Sequence, residues 1–218
     1  MSRTVLAIVD TPENTNPMPS AARLAICFVL GAVLGTAFDG IHLYGDVESY
    51  PDPAFGRWAW FVPVEFGVVA ALTGALIPSL ERFAGPPRPP EWSPAMRIAE
   101  LCLIAVAYTS TVVLDDVPVI LTVGLLALVT ARLLIRPVPG DWAYALIAAV
   151  VGPAVEAALS AGGAFDYADP DFAGIPLWLP ALWANGGVFM RRLLAPVVLD
   201  PVGVYRSRSR TSPPSVPT

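Results

Sequence analysis

The sequence contains no lysine, a single histidine and two cysteines, and its charged residues make up 14% of the chain, about half the share usual for a globular domain. Each shortage excludes something. One histidine cannot build a zinc or haem centre, and His42 reads as an interfacial polar residue. Cys27 and Cys102 lie inside apolar runs, so they read as small buried hydrophobes and not as a disulfide framework. A net charge of −5 leaves no basic face to neutralise phosphates, which argues against a nucleic-acid partner. Within the apolar runs there is no aspartate pair, Ser-His couple or set of His ligands, so intramembrane catalysis is not expected, nor is a metal or a cofactor. The first 20 residues lack the basic, apolar and cleavage order of a signal peptide.

Apolar residues are plentiful: 55% of the 218 residues are hydrophobic. Six runs reach bilayer-spanning length, at 24–43, 58–80, 98–114, 117–135, 142–164 and 172–194. None alternates with the dyad period of a barrel strand, so each is expected to be a helix that satisfies its own backbone. The expected fold is an all-α membrane protein with six transmembrane helices. Residues 1–21 form an N-terminal segment, 22–195 the membrane domain, and 196–218 a disordered Arg- and Pro-rich tail.

The arginines set the orientation. Arg3, Arg23, Arg82, Arg88, Arg97, Arg132, Arg136, Arg191, Arg192, Arg206, Arg208 and Arg210 fall on one side of the six runs, and Arg57 alone falls on the other. Asp39, Asp46, Glu48, Asp52, Asp115, Asp116, Asp166, Asp169 and Asp171 are grouped with Arg57. By the positive-inside rule both termini are cytoplasmic, which requires an even number of spans. Asp115 and Asp116 form the turn of a tight hairpin between the third and fourth helices.

Three acids lie within the apolar runs. Glu100 is three residues past Arg97 near the inner surface, where it can pair or snorkel, and reads as structural. Glu65 and Glu156 lie in the outer half with no cation at their depth, so each must be neutral, hydrogen-bonded or open to a polar cavity. Pro63 and Pro153 precede them, suggesting a kink beside each acid. Two readings remain open: a polar spot in an apolar crevice, or a carboxyl hydrogen bond that ties helices together. Trp58 and Trp178 read as interfacial anchors. Trp183 is deeper, before Asn185 and the Gly186-Gly187 pair, where a ligand or a close helix neighbour is expected. Gly31, Gly35, Gly67, Gly74 and Gly152 offer small-residue faces for self-association, a trimer being one option.

Spans two and three carry Trp60, Val62, Pro63, Gly67, Gly74, Pro78, Arg82 and Gly85, then Glu91-Trp92-Ser93 and Met96-Arg97. Spans five and six carry Tyr167, Pro170-Asp171-Phe172, Trp178-Leu179-Pro180, Gly186-Gly187 and Met190. This ordered set, over about residues 58–195, resembles the insulin-induced gene (Insig) family of six-span membrane proteins. In animals that family resides in the endoplasmic reticulum, binds oxysterols and retains an escort protein and a reductase of sterol synthesis. The resemblance implies a non-enzymatic lipid-binding regulator. The chain departs from the animal pattern at Glu65, where those proteins have Cys, and near Glu156, where they have an amide.

An all-arginine basic set suggests a bacterial source and a plasma membrane, where sterols and sterol-pathway clients are not carried over. A crevice open to lipid and ending in neutral hydrogen-bonding groups suits a neutral, hydroxylated lipid, diacylglycerol-like or sterol-like, better than a phospholipid headgroup. Glu65, Glu156, Trp60, Pro63 and Asn185 are expected at its polar end, with Val68, Leu72 and Val155 as walls. The function expected is a lipid sensor or regulatory scaffold with a membrane-protein client left open. The alternative is a small proton-coupled transporter using the buried glutamates.

Overall fold

Helix starts follow local chemistry. Ser20 and Ser93 sit in extended backbone and accept from Arg23 N (3.4 Å) and Met96 N (3.3 Å), capping α1 (Ala21–Tyr44) and α3 (Pro94–Val113). Proline in the first turn, where no N–H is needed, opens α3, α4 (Pro118–Ile135) and α6 (Leu179–Val198). The remaining helices are α2 (Val62–Ala84) and α5 (Asp141–Ala161), and two-residue strands β1 (Glu48–Ser49) and β2 (Asp166–Tyr167) pair antiparallel. The structure, a computed structural model, describes residues 19–84 and 93–199. Of the expected terminal segments 1–21 and 196–218, residues 1–18 and 200–218 lie outside these, as does Glu91-Trp92; α1 starts at Ala21, and α6 runs past 195 to Val198.

Among the described residues five helices, α1 to α5, are long and apolar enough to cross a membrane. The sixth, which holds Asn185, Arg191 and Arg192, is not among them, because it is the axis of the bundle: α6 touches all five others and buries its polar groups against them. Large apolar side chains such as Val33, Leu72, Val106, Ile120 and Val150 point outward from the other helices, as a lipid-facing surface requires. Cys102 is exposed on that surface, contrary to the expectation that both cysteines are buried, while Cys27 is enclosed.

Two boundaries differ from those read in the sequence. The second and sixth helices start later, at Val62 and Leu179, because each is preceded by a bridged turn, Phe55 with Trp58 and Phe172 with Ile175. Gly56 at φ +58° and Gly174 at φ +78° supply the left-handed backbone these turns need, which hydropathy does not register. Pro63 therefore lies in the first turn of α2 and kinks nothing, whereas Pro153 is inside α5. The two expected anchors also go inward: Trp178 is fully buried with its Nε1 donating to Asp115 Oδ1 (3.2 Å), and Trp58 Nε1 donates to Thr36 O (3.2 Å).

The small residues are consumed inside the chain. A side chain at Gly31 would fall on Ala70 Cβ and the Phe66 carbonyl, one at Gly67 on the Phe28 ring, one at Gly74 on Cys27 Sγ, and one at Gly152 on the Trp183 indole. They let helices of one molecule approach, which removes the reason given for their role in self-association.

Toward the end of the bundle where α3 and α5 begin, arginines make a buried ion network. Arg191 donates to Glu81 Oε1 (2.8 Å) and Asp141 Oδ1 (2.6 Å); Arg192 donates to Asp141 Oδ2 (2.8 Å) and Glu100 Oε1 (2.5 Å); Arg132 donates to Glu100 Oε2 (2.5 Å). Glu100 is thus structural, as expected, but its partners come from α4 and α6 and not from Arg97.

Candidate functional site

Above this network the helices part. Leu30, Leu34 and Phe38 of α1, Phe66 and Ala70 of α2, Ile104 and Tyr108 of α3, and Leu182, Gly186 and Leu193 of α6 line a mainly apolar crevice of about 660 Å³, its open side included. Gly186 has open space where a side chain would stand, while Gly187 next to it packs on the Tyr144 carbonyl and Ala148. The paired glycines serve both expected purposes: one leaves room, the other brings α5 close.

The outer end of the crevice changes character. Phe66, Tyr108, Glu156 and Trp183 also border a narrow polar recess that holds Asp39, His42, Glu48, Tyr50, Glu65 and Tyr167. The β1·β2 ribbon borders it: Glu48 pairs with Tyr167 across the ladder, and both point inward while Ser49 and Asp166 point out. Aromatic edges wall the space, including Phe165 against Tyr167 (5.5 Å between centroids) and Phe38 stacked on Tyr108 (5.2 Å).

Hydrogen bonds divide the polar groups into satisfied and unsatisfied. Glu156 accepts from Trp183 Nε1 at 2.5 Å and from the Tyr167 hydroxyl, so both its oxygens have protein donors. The tie-rod reading of Glu156 holds, although the gap beside it persists. Tyr50 donates to Asp39 Oδ1 (3.2 Å). The Thr111 hydroxyl donates to Tyr108 O (2.7 Å), so the 2.8 Å bond to His42 must be donated by His42 Nε2–H. Glu48 is 5% exposed; its carboxyl hydrogen-bonds the Asp39 carboxylate, and its Oε1 accepts from no protein donor among the described residues. Burial, followed by the adjacent Asp39 charge, pushes the Glu48 carboxyl well above the usual range, so its neutral form is favoured. Burial and the Glu156 charge likewise push the Tyr167 phenol up, keeping it a donor.

Of the residues expected at the site, the structure brings Glu65 and Glu156 into the recess. Trp60, Val68, Leu72 and Val155 are 68, 44, 59 and 44% exposed and face outward: Val68 and Leu72 occupy the opposite face of α2 from Phe66 and Ala70, Trp60 lies in the turn before α2, and Val155 lies on the outward face of α5. Pro63 lies beside them, outside the cavity lining. Asn185 is fully buried and bonds between helices, donating to Leu125 O (2.9 Å) and accepting from Arg132 Nη1 (3.1 Å), so it does not reach the crevice. Asp39, grouped with the outer loops, lies inside α1, and His42 is buried one turn later. Their i, i+3 spacing was the legible signal. The two-residue ribbon that delivers Glu48 and Tyr167 leaves none.

Comparison with known proteins agrees with this architecture. A family model described as a protein of unknown function (DUF2878) matches residues 97–202. The insulin-induced gene 1 protein of Danio rerio is 28% identical over 172 residues, covering 76% of this chain and 68% of its own length. The Homo sapiens protein is 27% identical over 194 residues, covering 84% and 70%. Among solved structures, a cross-linked trimer of MvINS, the mycobacterial Insig homologue, superposes with a TM-score of 0.67 at 23% identity over 82% of this chain and 95% of that one. A second MvINS structure, from Mycobacterium vanbaalenii, gives 0.66. With five helices packed around α6, the chain is similar to the Insig proteins in sequence over about three quarters of its length and shares the fold of their mycobacterial homologue.

Proposed function

We propose that this protein binds a neutral, hydroxyl-bearing lipid, diacylglycerol-like or sterol-like, and acts without catalysis as a lipid sensor or regulatory scaffold. The hydrocarbon part lies in the crevice between α1, α2, α3 and α6, and the hydroxyl enters the recess under the β1·β2 ribbon. The observation that supports this reading is the shared lining of the two spaces: Phe66, Tyr108, Glu156 and Trp183 border both the apolar crevice and the polar recess, where Glu48 Oε1 is buried with no protein donor among the described residues. A ligand hydroxyl is both donor and acceptor and satisfies such a group, whereas a phosphate would meet only carboxyls, phenols and a neutral imidazole there. The cross-linked trimer of MvINS leads us to extend homo-oligomer formation to this chain.

Native mass spectrometry of gently solubilised protein tests the proposal. A co-purifying neutral lipid is expected, with retention falling about threefold to tenfold in Glu65→Ala, the loss of one hydrogen bond. Glu156→Ala is the poorer probe, because it also strips Trp183 and Tyr167 of their acceptor. Delipidated protein that shows no saturable uptake of diacylglycerol or a sterol defeats the reading.

A further inference from the structure

We infer that the groove between the inner ends of α3 and α4 is a second, chemically opposite lipid site, which takes the headgroup of an anionic phospholipid. The groove, about 560 Å³, is bordered by Ala99, Glu100 and Leu103 of α3, by Leu128, Ala131, Arg132, Ile135 and Arg136 of α4, and by Arg192 of α6 behind them. Two guanidiniums, Arg132 and Arg192, hold the Glu100 carboxylate there, and a third arginine, Arg136, borders the same groove. Both oxygens of that carboxylate are already taken, Oε1 by Arg192 and Oε2 by Arg132, at 2.5 Å each. Among the described residues the ion pairs of the wider network are balanced, with Glu81, Glu100 and Asp141 against Arg132, Arg191 and Arg192. Arg136 stands outside that balance, exposed at the end of α4. Arg132 Nε is buried and has no partner among the described residues, so the groove also borders a donor still owed an acceptor.

The rest of the groove is hydrocarbon. Leu103, Leu128 and Ala131 lead away from the arginines, and Ile135 at 77% exposed continues to the outward surface. A soluble anion gains nothing from those walls; a phospholipid places its phosphate against Arg136 and an acyl chain along Leu103 and Leu128. The dipole at the end of α4 opposes an anion, but Arg192 Nη2 donates to the Arg132 and Arg136 carbonyls there (3.2 and 3.0 Å), and the Arg136 charge outweighs what remains at contact distance. Charge thus sorts lipid between the two ends of the molecule: uncharged hydroxyls where acids gather, phosphates where arginine is in surplus. This site shares no lining residue with the neutral-lipid crevice and does not rest on it.

Thermal stabilisation in detergent provides the test, with phosphatidylglycerol, phosphatidylcholine and glycerol phosphate as separate additives. Phosphatidylglycerol is expected to raise the melting temperature at lower concentration than phosphatidylcholine, and Arg136→Gln to reduce that preference roughly fivefold. The Arg136 carbonyl, not its side chain, accepts from Arg192 Nη2 (3.0 Å), so the substitution leaves the fold's own bond in place. Arg57→Gln, on the opposite side of the molecule, keeps the preference. Equal response to the two phospholipids, an unchanged preference in Arg136→Gln, or displacement of phosphatidylglycerol by glycerol phosphate overturns the site. Loss of diacylglycerol binding in Glu65→Ala with the phosphatidylglycerol preference intact separates this inference from the proposal above.

Discussion

Glu48 is a side chain whose placement conflicts with its chemistry. It is carried on a two-residue strand, buried, 4.0 Å from His42 Nδ1 and surrounded by Asp39, Glu65, Glu156, Tyr50 and Tyr167. Because burial raises its folded-state value above the ordinary 4.5, the folded protein holds a proton that the unfolded chain has lost. Its contribution to stability is full below the ordinary value and disappears as pH rises through the raised one. The protein is therefore expected to lose thermal stability as pH is increased from about 5 upward, and Glu48→Gln, neutral at every pH, to flatten that slope. Melting curves across the range decide it; parallel slopes in both proteins would mean that the burden lies on Asp39 or the other carboxyls. None of this was visible in sequence, where Glu48 looked like one more acid of an outer loop. The deeper pair, Glu65 and Glu156, was visible because a carboxyl in a long apolar run is costly and must have a reason.

Helices were read well where hydropathy speaks and badly where backbone geometry does. The six runs, their order and the α3–α4 hairpin all came from composition, whereas the starts of α2 and α6 slipped because glycine turns hide within apolar stretches. Small residues were seen but assigned to the wrong partner, since sequence shows that a face is narrow and not which neighbour fills it. Two glycines separate these cases. At Gly31 a Cβ meets Ala70 Cβ and the Phe66 carbonyl, atoms that cannot swing aside, so Gly31→Ala is expected to push α1 from α2 and cost about 1–3 kcal/mol. At Gly124, mid-helix in α4, nothing lies within 4 Å, so Gly124→Ala gains the helical preference of alanine, about 0.5–1 kcal/mol. Thermal unfolding of the two variants should shift in opposite directions; a loss at Gly124 would show that a second copy of the chain packs there.

Over the whole molecule, arginines read in sequence as topology signals turn out to build a buried core as well. Their partners are far along the chain, Arg191 with Glu81 at a separation of 110 residues and Arg192 with Glu100 at 92, so no local pattern could pair them. Asp141 is the keystone. Its carboxylate is 1% exposed, opens α5 directly after Gly140, and holds both Arg191 and Arg192, which in turn reach α2, α3 and α4. Removing it leaves two guanidiniums in a low-dielectric interior with one carboxylate fewer, and breaking such a network from one side costs about 3–5 kcal/mol. Asp141→Ala is therefore expected to lower stability by that amount, with Asp141→Asn intermediate because the amide oxygen still accepts one bond. The exposed Arg57–Asp46 pair is the internal comparison: it is as short, 2.6 Å, but open to solvent, and Asp46→Ala should cost less than about 1 kcal/mol. If the two alanine variants unfold alike, distance alone governs these pairs, and the inner network is not what fastens α6 to its neighbours.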